Sequence, residues 1–159
     1  MGSLLKGIFI NLFLISVAFA EISSEVRISS LRYQRYEGSN IIWKLTADEF
    51  LQKGEAYFEA KGVYIENLPK GIKMRAKEAE YIKKEDKFIL KGSVQVYVEN
   101  EGEIFTEELI FYPKKDYLSA PGRVLIKKRG VEMSGEGLTY HLSEGKFQLQ
   151  RRATAQFKL

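Results

Sequence analysis

The sequence of 159 residues contains no cysteine, one histidine and three prolines. The absence of cysteine excludes disulfide bonds and thiolate metal sites, so the stability of the fold has to come from strand pairing and packing. The few prolines and the many aromatic residues, ten Phe and nine Tyr, indicate an ordered β-protein rather than a disordered chain. The length suits one domain with a sizeable core.

The sequence also has little from which a catalytic or cofactor site could be built. Its single histidine, His141, lies in a segment of alternating polarity, where a lone histidine is ordinarily solvated or packed rather than a base. No serine occupies a nucleophile elbow, and no glycine-rich motif joins a strand to a helix. The acidic turn at residues 99–103 lacks the ligand spacing of a calcium loop. The sequence therefore predicts no catalytic residue, no metal site and no cofactor.

The first 20 residues have the pattern of an export segment. Lys6 precedes an apolar stretch from Ile8 to Ala20, which ends in Ala-Phe-Ala immediately before Glu21. This ending is typical of a secretory cleavage site, and the stretch is shorter than the roughly 20 residues of a membrane span. We predict that residues 1–20 form a signal peptide or a membrane anchor, with cleavage favoured, and that the chain is exported.

The rest of the chain divides into a lead-in and a β-domain. Residues 21–40 form a polar lead-in, which is either a first strand or a flexible tether, and residues 41–159 are predicted to form the domain. Charges of both signs are dispersed along it, with a formal net charge of +4 for the whole chain. Such a surface on an exported chain is a poor match for nucleic acid, whereas an anionic lipid or saccharide is compatible with it.

Basic pairs recur at the predicted turns. The simplest interpretation is that they are solvated, and the alternative is that some of them line one rim and bind phosphate groups. These pairs are Lys83–Lys84, Lys114–Lys115, Lys127–Lys128–Arg129 and Arg151–Arg152.

A pattern of about 30 residues recurs through the middle of the chain. The segment from Ile72 to Gly102 matches the segment that follows when it is shifted by 30 positions. Fixed periods of this size are typical of architectures that stack one supersecondary unit on the next. The matched positions are Ala76 with Thr106, Ala79 with Leu109, Tyr81 with Phe111, Phe88 with Leu118, Gly92 with Gly122, Val94 with Val124, and Val96 with Ile126.

Each unit consists of two predicted strands, because apolar residues alternate with polar ones at the period of a half-buried strand. Residues 75–84 contain strong helix formers, but their counterpart at residues 105–114 is strand-like and has a proline near its end. One fold has to serve both copies, so we predict strands for both. The predicted strands span residues 41–47, 56–66, 72–81, 87–99, 103–112, 117–128, 131–142 and 146–157.

The alternation changes parity at matching places in successive units. It slips between Ala76 and Ala79, and again 30 residues later. Since a regular strand keeps its parity, we predict a bulge or corner at each slip. Gly92 and Gly122 lie inside strands, where glycine weakens pairing unless a bend or a close backbone approach requires it. The fold class predicted is all-β: a folded-over antiparallel sheet of stacked two-strand repeats around a narrow apolar interior.

The order of these segments resembles a known family. A strand led by tryptophan, Trp43–Ala47, is followed by LKGSVQV at residues 90–96 and EIFTEELIFY at residues 103–112. The segments APGRV at 120–124 and SGEGLTY at 134–140 complete the series. From about Trp43 onwards, the chain resembles the LptC family of lipopolysaccharide export proteins, within the wider group that shares the OstA-like β-jellyroll.

The resemblance implies a function in transport rather than in catalysis. It implies a periplasmic protein, associated with the inner membrane, that holds the acyl chains of lipopolysaccharide inside the folded sheet. Such a protein receives the lipid from an inner-membrane ABC transporter complex and passes it to a periplasmic LptA-like bridge protein by edge-to-edge strand pairing. Two alternatives stay open. One is a soluble LptA-like bridge protein, which the cleavage pattern favours, and the other is a structural or saccharide-binding β-repeat protein.

The residues expected to contact lipid are apolar side chains with the parity of the predicted interior. Trp43, the sole tryptophan, is expected to be a core residue or a lid over one end of the interior. The expected lipid-contacting residues are Trp43, Leu45, Phe88, Leu90, Val94, Val96, Leu109, Phe111, Leu118, Val124, Ile126, Leu138 and Phe147.

Overall fold

The structure is a computed structural model that describes residues 25–158, so the predicted export segment lies outside the described residues. The described chain is built from strands, with a single 3₁₀ turn at Pro113–Lys115. The strands are β1 (Glu25–Glu37), β2 (Asn40–Lys53), β3 (Tyr57–Asn67), β4 (Ile72–Ile82), β5 (Lys87–Val98), β6 (Gly102–Tyr112), β7 (Tyr117–Lys128), β8 (Val131–His141) and β9 (Lys146–Phe157).

The nine strands form one antiparallel sheet in which the order in space is the order in sequence. Each strand pairs with the one before it and the one after it, so β1 and β9 are the two edges. The all-β antiparallel fold predicted from the alternation is confirmed. The helix-forming residues 75–84 lie largely in β4, where pairing with β3 and β5 overrides their helical propensity.

Two segments differ from the simplest expectation at the start of the sheet. The lead-in is a strand rather than a tether, because β1 pairs with β2 from Glu25 to Glu37. The strand predicted to end at Ala47 continues to Lys53, and its second part pairs with β3. The extension does not keep the alternation of a half-buried strand, because Asp48 and Glu49 are consecutive and both exposed, although β2 is an inner strand of the sheet.

The predicted corners are confirmed by the strand pairing. The register between β4 and β5 shifts between Arg75 and Glu78, and that between β6 and β7 shifts between Thr106 and Ile110. In β4 the buried side chains change parity at the same place, from Ala76 to Ala79. Register shifts also occur in the middle of the pairings of β5 with β6, β7 with β8, and β8 with β9. Together these irregularities form a line across the strands, which we call the crease.

The two glycines at matching repeat positions differ at the crease. Gly92 has φ +85° and packs closely on β4, where an added Cβ would lie 2.9 Å from the Cβ of Lys77. This conformation favours glycine, because L side chains are strained there. Gly122 has no such φ, and nothing would lie within 4 Å of a Cβ added to it. A bend therefore requires glycine at Gly92 and not at Gly122.

The core is one continuous cluster between the two parts of the folded sheet. In β5 the even-numbered residues from Phe88 to Val98 are buried, apart from the half-exposed Gly92. Residues 25–158 include no helix with the length and apolar character that crossing a membrane requires.

We expect Gly92→Ala to lower the free energy of unfolding by about 1–2 kcal/mol, because alanine would have to adopt a left-handed conformation against Lys77. Gly122→Ala is the matched control, and we expect it to change stability by less than about 0.5 kcal/mol. Urea unfolding followed by Trp43 fluorescence measures both. Equal losses in the two variants would contradict the assignment of Gly92 to the crease.

Candidate functional site

The crease divides the sheet into two faces that fold over a shared interior. The first face ends in the turns that follow β2, β4, β6 and β8, and the second face ends in the turns that follow β1, β3, β5 and β7. We call the gap between these two sets of turns, opposite the crease, the mouth. The interior is therefore a trough that runs across the strands and is bounded by the crease, the mouth and the two edge strands.

The first face lines the interior with a row of aromatic rings. Phe58, Tyr81, Phe88 and Phe111 come from four successive strands and are direct cross-strand partners. Their ring centroids are separated by 6.0, 4.7 and 6.2 Å along the row. These spacings are typical of favourable aromatic pairs, and all four side chains are buried. The row continues through Leu118 to a Tyr140–Phe147 pair at 6.0 Å.

The second face lines the interior with a row of aliphatic side chains. Ile65, Met74, Val96, Ile104 and Ile126 are cross-strand partners from β3 to β7, and each is at most 4% exposed. The two rows face each other, so an apolar surface extends across most of the sheet on both sides of the trough. None of these positions carries a charge.

Trp43 joins the two faces. It lies on β2 in the second face, and its ring is 6.2 Å from that of Phe111 on β6 in the first face. β2 and β6 are not neighbours in the sheet, so this contact crosses the interior. Trp43 is partly buried against the core. It is thus both a packing residue and a cover over the β1 end of the trough.

The side chains of the aromatic and aliphatic rows leave little room between them, since they are almost completely buried. An apolar cavity between the faces, lined among others by Leu45, Phe58, Ile65 and Phe88, has a volume of about 20 Å³. This is room for about one water molecule. A long acyl chain could enter only if the faces moved apart.

All of the residues expected in the interior lie there. Trp43, Leu45 and Phe147 are partly buried and pack against the core cluster. The other ten are buried: Phe88, Leu90, Val94, Val96, Leu109, Phe111, Leu118, Val124, Ile126 and Leu138.

Several interior residues were missed from the sequence. Phe50 and Phe58 stack at 5.7 Å and line the cavity. Phe58 could have been found, because the period of 30 aligns it with Phe88, whereas Phe50 aligns with Glu80 and has no apolar counterpart. Tyr81 could have been found, because the repeat aligns it with Phe111. It was not predicted to be an interior residue because tyrosine carries a polar hydroxyl group.

Tyr81 anchors the aromatic row to the rim of the first face. Its hydroxyl donates a hydrogen bond of 2.5 Å to Oδ1 of Asp86, in the turn after β4. Burial, and secondly this hydrogen bond to a carboxylate, raise the pKa of Tyr81 above its ordinary value. The phenol therefore stays protonated and keeps the polar end of the ring at the rim.

The mouth is bridged by contacts between turns of opposite faces. Lys70, in the turn after β3, donates from Nζ to Oδ1 of Asp116, in the turn after β6. Near the other end, Oε1 of Glu101 approaches Gly145, where an added Cβ would lie 3.6 Å away. In both cases a turn of the second face meets a turn of the first face three hairpins further along the chain.

The two ends of the trough differ. At the β1 end, Tyr33, Arg35 and Trp43 cover the interior, and Arg35 is only 9% exposed. At the β9 end, Ala155 and Phe157 pair with Met133 and Val131 of β8, so their side chains lie on the same, inward side of the sheet. Both are exposed, and Phe157 is 74% exposed. The apolar lining is thus sealed at β1 and open at β9.

The basic pairs do not share one rim. Lys83–Lys84 and Lys114–Lys115 lie at turns of the first face, whereas Lys127–Arg129 lies at a turn of the second. Arg151–Arg152 was expected at a turn, and this is wrong, because the pair lies inside β9 at the crease. Both of its arginines form ion pairs with Glu136, at 3.7 and 3.5 Å.

The described residues include no group of three or more His, Asp or Glu side chains placed to hold a metal ion. His141 is exposed at the end of β8, and its ring lies 5.0 Å from that of Tyr117. The interior of the fold therefore offers apolar contacts, and the polar groups lie at the mouth and at the β1 end.

Comparison with known proteins identifies a family model and a solved structure that the chain resembles. A family model described as "LptC: Lipopolysaccharide-assembly, LptC-related" matches residues 21–158. Among solved structures, the chain is similar to LptH, the LptA-homologous periplasmic component of the lipopolysaccharide transport device of Pseudomonas aeruginosa, with a TM-score of 0.63. The two are 8% identical, and the match covers 74% of this chain and 95% of that one, so it shows the shared fold. No curated protein matches the sequence.

Proposed function

Since the chain belongs to the LptC-related family of lipopolysaccharide-assembly proteins, we propose that it carries the lipid within its folded sheet as one unit of a periplasmic transport bridge. It receives lipopolysaccharide from an inner-membrane ABC transporter complex and passes it to an LptA-like bridge protein. Its place is the periplasm, in association with the inner membrane. The observation that carries this proposal is the continuous, uncharged lining formed by the aromatic row and the aliphatic row.

The energetics of acyl-chain burial support this function. Each methylene group moved from water into an apolar interior gains about 0.8 kcal/mol, so even a partly inserted chain is held firmly. No bond in the lipid has to be broken for such transfer. The thirteen residues predicted from the sequence, from Trp43 to Phe147, are the proposed contact surface.

Lipid entry requires the mouth to open, because the lining side chains are buried against each other and the cavity between Leu45 and Phe88 measures only about 20 Å³. The Lys70–Asp116 pair is partly exposed, and exposed ion pairs contribute only about 0–1 kcal/mol. Separation of the turns therefore costs little at this contact, whereas the crease keeps the faces joined. We propose that the faces open at the mouth about the crease and close again over the acyl chains.

The β9 edge is proposed to receive the bridge protein. Its inward side chains Ala155 and Phe157 are exposed, and the outer edge of its backbone pairs with no strand of residues 25–158. Unpaired edges are prone to pair with another strand, and a second β-jellyroll would continue both the hydrogen bonding and the apolar lining.

Two alternatives receive unequal support. A soluble LptA-like bridge protein would use the same trough and edges, and the Ala-Phe-Ala sequence at residues 18–20 favours it. A saccharide-binding surface would call for exposed aromatic ladders. The described aromatic row from Phe58 to Phe111 is buried, so this observation opposes a saccharide-binding function.

Photo-crosslinking amino acids placed at Leu90, Val96 and Leu118 of the chain in cells should form adducts with lipopolysaccharide. These side chains are at most 1% exposed and line the interior. Gln95 is the matched control, since it neighbours Val96 and hydrogen-bonds Glu103 on the outer surface. Adducts at Gln95 and none at the three interior positions would refute carriage inside the trough.

A short bismaleimide that joins cysteines introduced at Lys70 and Asp116 should abolish the lipid adduct at Val96, because it holds the mouth shut. The chain has no cysteine of its own, so only the introduced pair reacts. Cysteines at Lys53 and Glu59, which form an ion pair of 3.3 Å within one face, are the control and should leave the adduct unchanged. Undiminished adduct in the Lys70–Asp116 crosslinked protein would mean that lipid does not enter by the mouth.

The Ala155→Glu substitution should weaken binding to the purified LptA-like bridge protein by at least about tenfold, since a carboxylate would enter the continued apolar lining. Gln156→Glu adds the same charge at the next, outward position and should change the affinity by less than about twofold. Isothermal titration measures both. If Ala155→Glu leaves the affinity unchanged, the partner does not bind at β9.

A further inference from the structure

Arg35 is a buried charged side chain that has no counter-charge among residues 25–158. It is 9% exposed, and its Nη2 atom is buried with no hydrogen-bond partner in the described part of the chain. No carboxylate among residues 25–158 forms an ion pair with it. The guanidinium group keeps its positive charge in proteins, and an unpaired charge within a protein destabilises the fold. Packing alone does not account for such a residue, because an apolar side chain would fill the space at lower cost.

The fold aims Arg35 at the β1 end of the trough. Its cross-strand partner is Trp43, and a bulge in the pairing follows immediately, between Arg35 and Tyr36. Bulges re-aim side chains and are frequent next to binding sites. The side chain of Arg35 therefore lies on the same side of the sheet as that of Trp43, which covers the apolar interior.

Tyr33 adds a second donor at the same place. It lies two residues before Arg35 on the same face of β1, and it packs partly buried against the core beside Leu45. Burial raises the pKa of Tyr33 to about 12, and the positive charge of Arg35 acts in the opposite direction. The phenol is thus a neutral hydroxyl near the guanidinium group.

Arg35 and Tyr33 together provide a positive charge and hydrogen-bond donors for an anion, next to an apolar trough. A guanidinium group binds phosphate through two parallel hydrogen bonds, and a neighbouring hydroxyl can donate a third. The ligand that fits both parts is an amphiphile with acyl chains and a phosphate group. We propose that Arg35 and Tyr33 bind a phosphate group of the lipid whose acyl chains occupy the interior, an inference that rests on the proposed lipid carriage.

The test uses the full chain purified from cell envelopes and the fluorescence of Trp43, the sole tryptophan and the cross-strand neighbour of Arg35. The chain is titrated with lipid A, with lipid A from which the phosphates have been removed, and with inorganic phosphate. We expect the intact lipid to bind at least about tenfold more tightly than the dephosphorylated lipid, the size of a charge-assisted hydrogen bond. Inorganic phosphate alone should not compete at millimolar concentration.

Arg35→Gln should remove the preference for the phosphorylated lipid and leave the affinity for the dephosphorylated lipid within about twofold. Arg32→Gln is the matched control, since it removes the same charge from an exposed position on the same strand. It should keep the full preference. Arg35→Lys should keep part of the preference, because lysine supplies the charge without the paired geometry.

A preference that survives in Arg35→Gln would overturn the subsite while leaving lipid carriage intact. Saturation by inorganic phosphate as readily as by lipid A would assign the site to free phosphate and overturn the headgroup assignment. If neither lipid bound to the wild-type chain, the proposed carriage would fail, and the subsite with it.

A stability measurement separates this role from a structural one. Arg35→Met replaces an unpaired buried charge by an apolar chain of similar length, so the thermal midpoint should stay unchanged or rise. The same variant should show no preference for the phosphorylated lipid. A midpoint lowered by more than about 5 °C would identify Arg35 as a structural residue and contradict the proposal.

Discussion

The structure depends on a break in strand parity at the same place along successive strands. A strand places alternate side chains on opposite sides of the sheet, so a regular nine-stranded sheet would have one apolar surface and nothing to cover it. The register shifts at the crease let the sheet fold over and bury that surface against itself. Gly92 makes the bend in β5 possible through its left-handed backbone.

The folded sheet gives a trough with unequal boundaries. At the crease the two faces are joined by the continuous backbone of the strands. At the mouth they are held together by side-chain contacts such as that of Lys70 with Asp116. The β1 end is covered by Trp43 and Arg35, and the β9 end exposes Ala155 and Phe157. A lipid carrier benefits from this asymmetry, since one boundary can open, one end can hold a polar group and the other can continue into a partner.

Much of the interior could be predicted from the sequence, because cross-strand packing follows directly from alternation. Val96, Leu109 and Leu118 have the parity of the interior and are completely buried. The prediction failed where side-chain chemistry misled, as at Tyr81, whose hydroxyl reaches the rim. It also failed where no apolar repeat copy was available, as at Phe50, which aligns with Glu80.

The sequence by itself determined most of the strands, their antiparallel pairing, the places where they bend and most of the apolar lining. These properties are local or recur at a fixed period, so neighbouring residues suffice to specify them. Only the tertiary structure decided that Trp43 contacts Phe111, that Lys70 contacts Asp116 and that Arg35 is buried with no carboxylate partner among residues 25–158. Those relations depend on how far one face is displaced along the other, and this displacement arises from the twist and bending of all nine strands together.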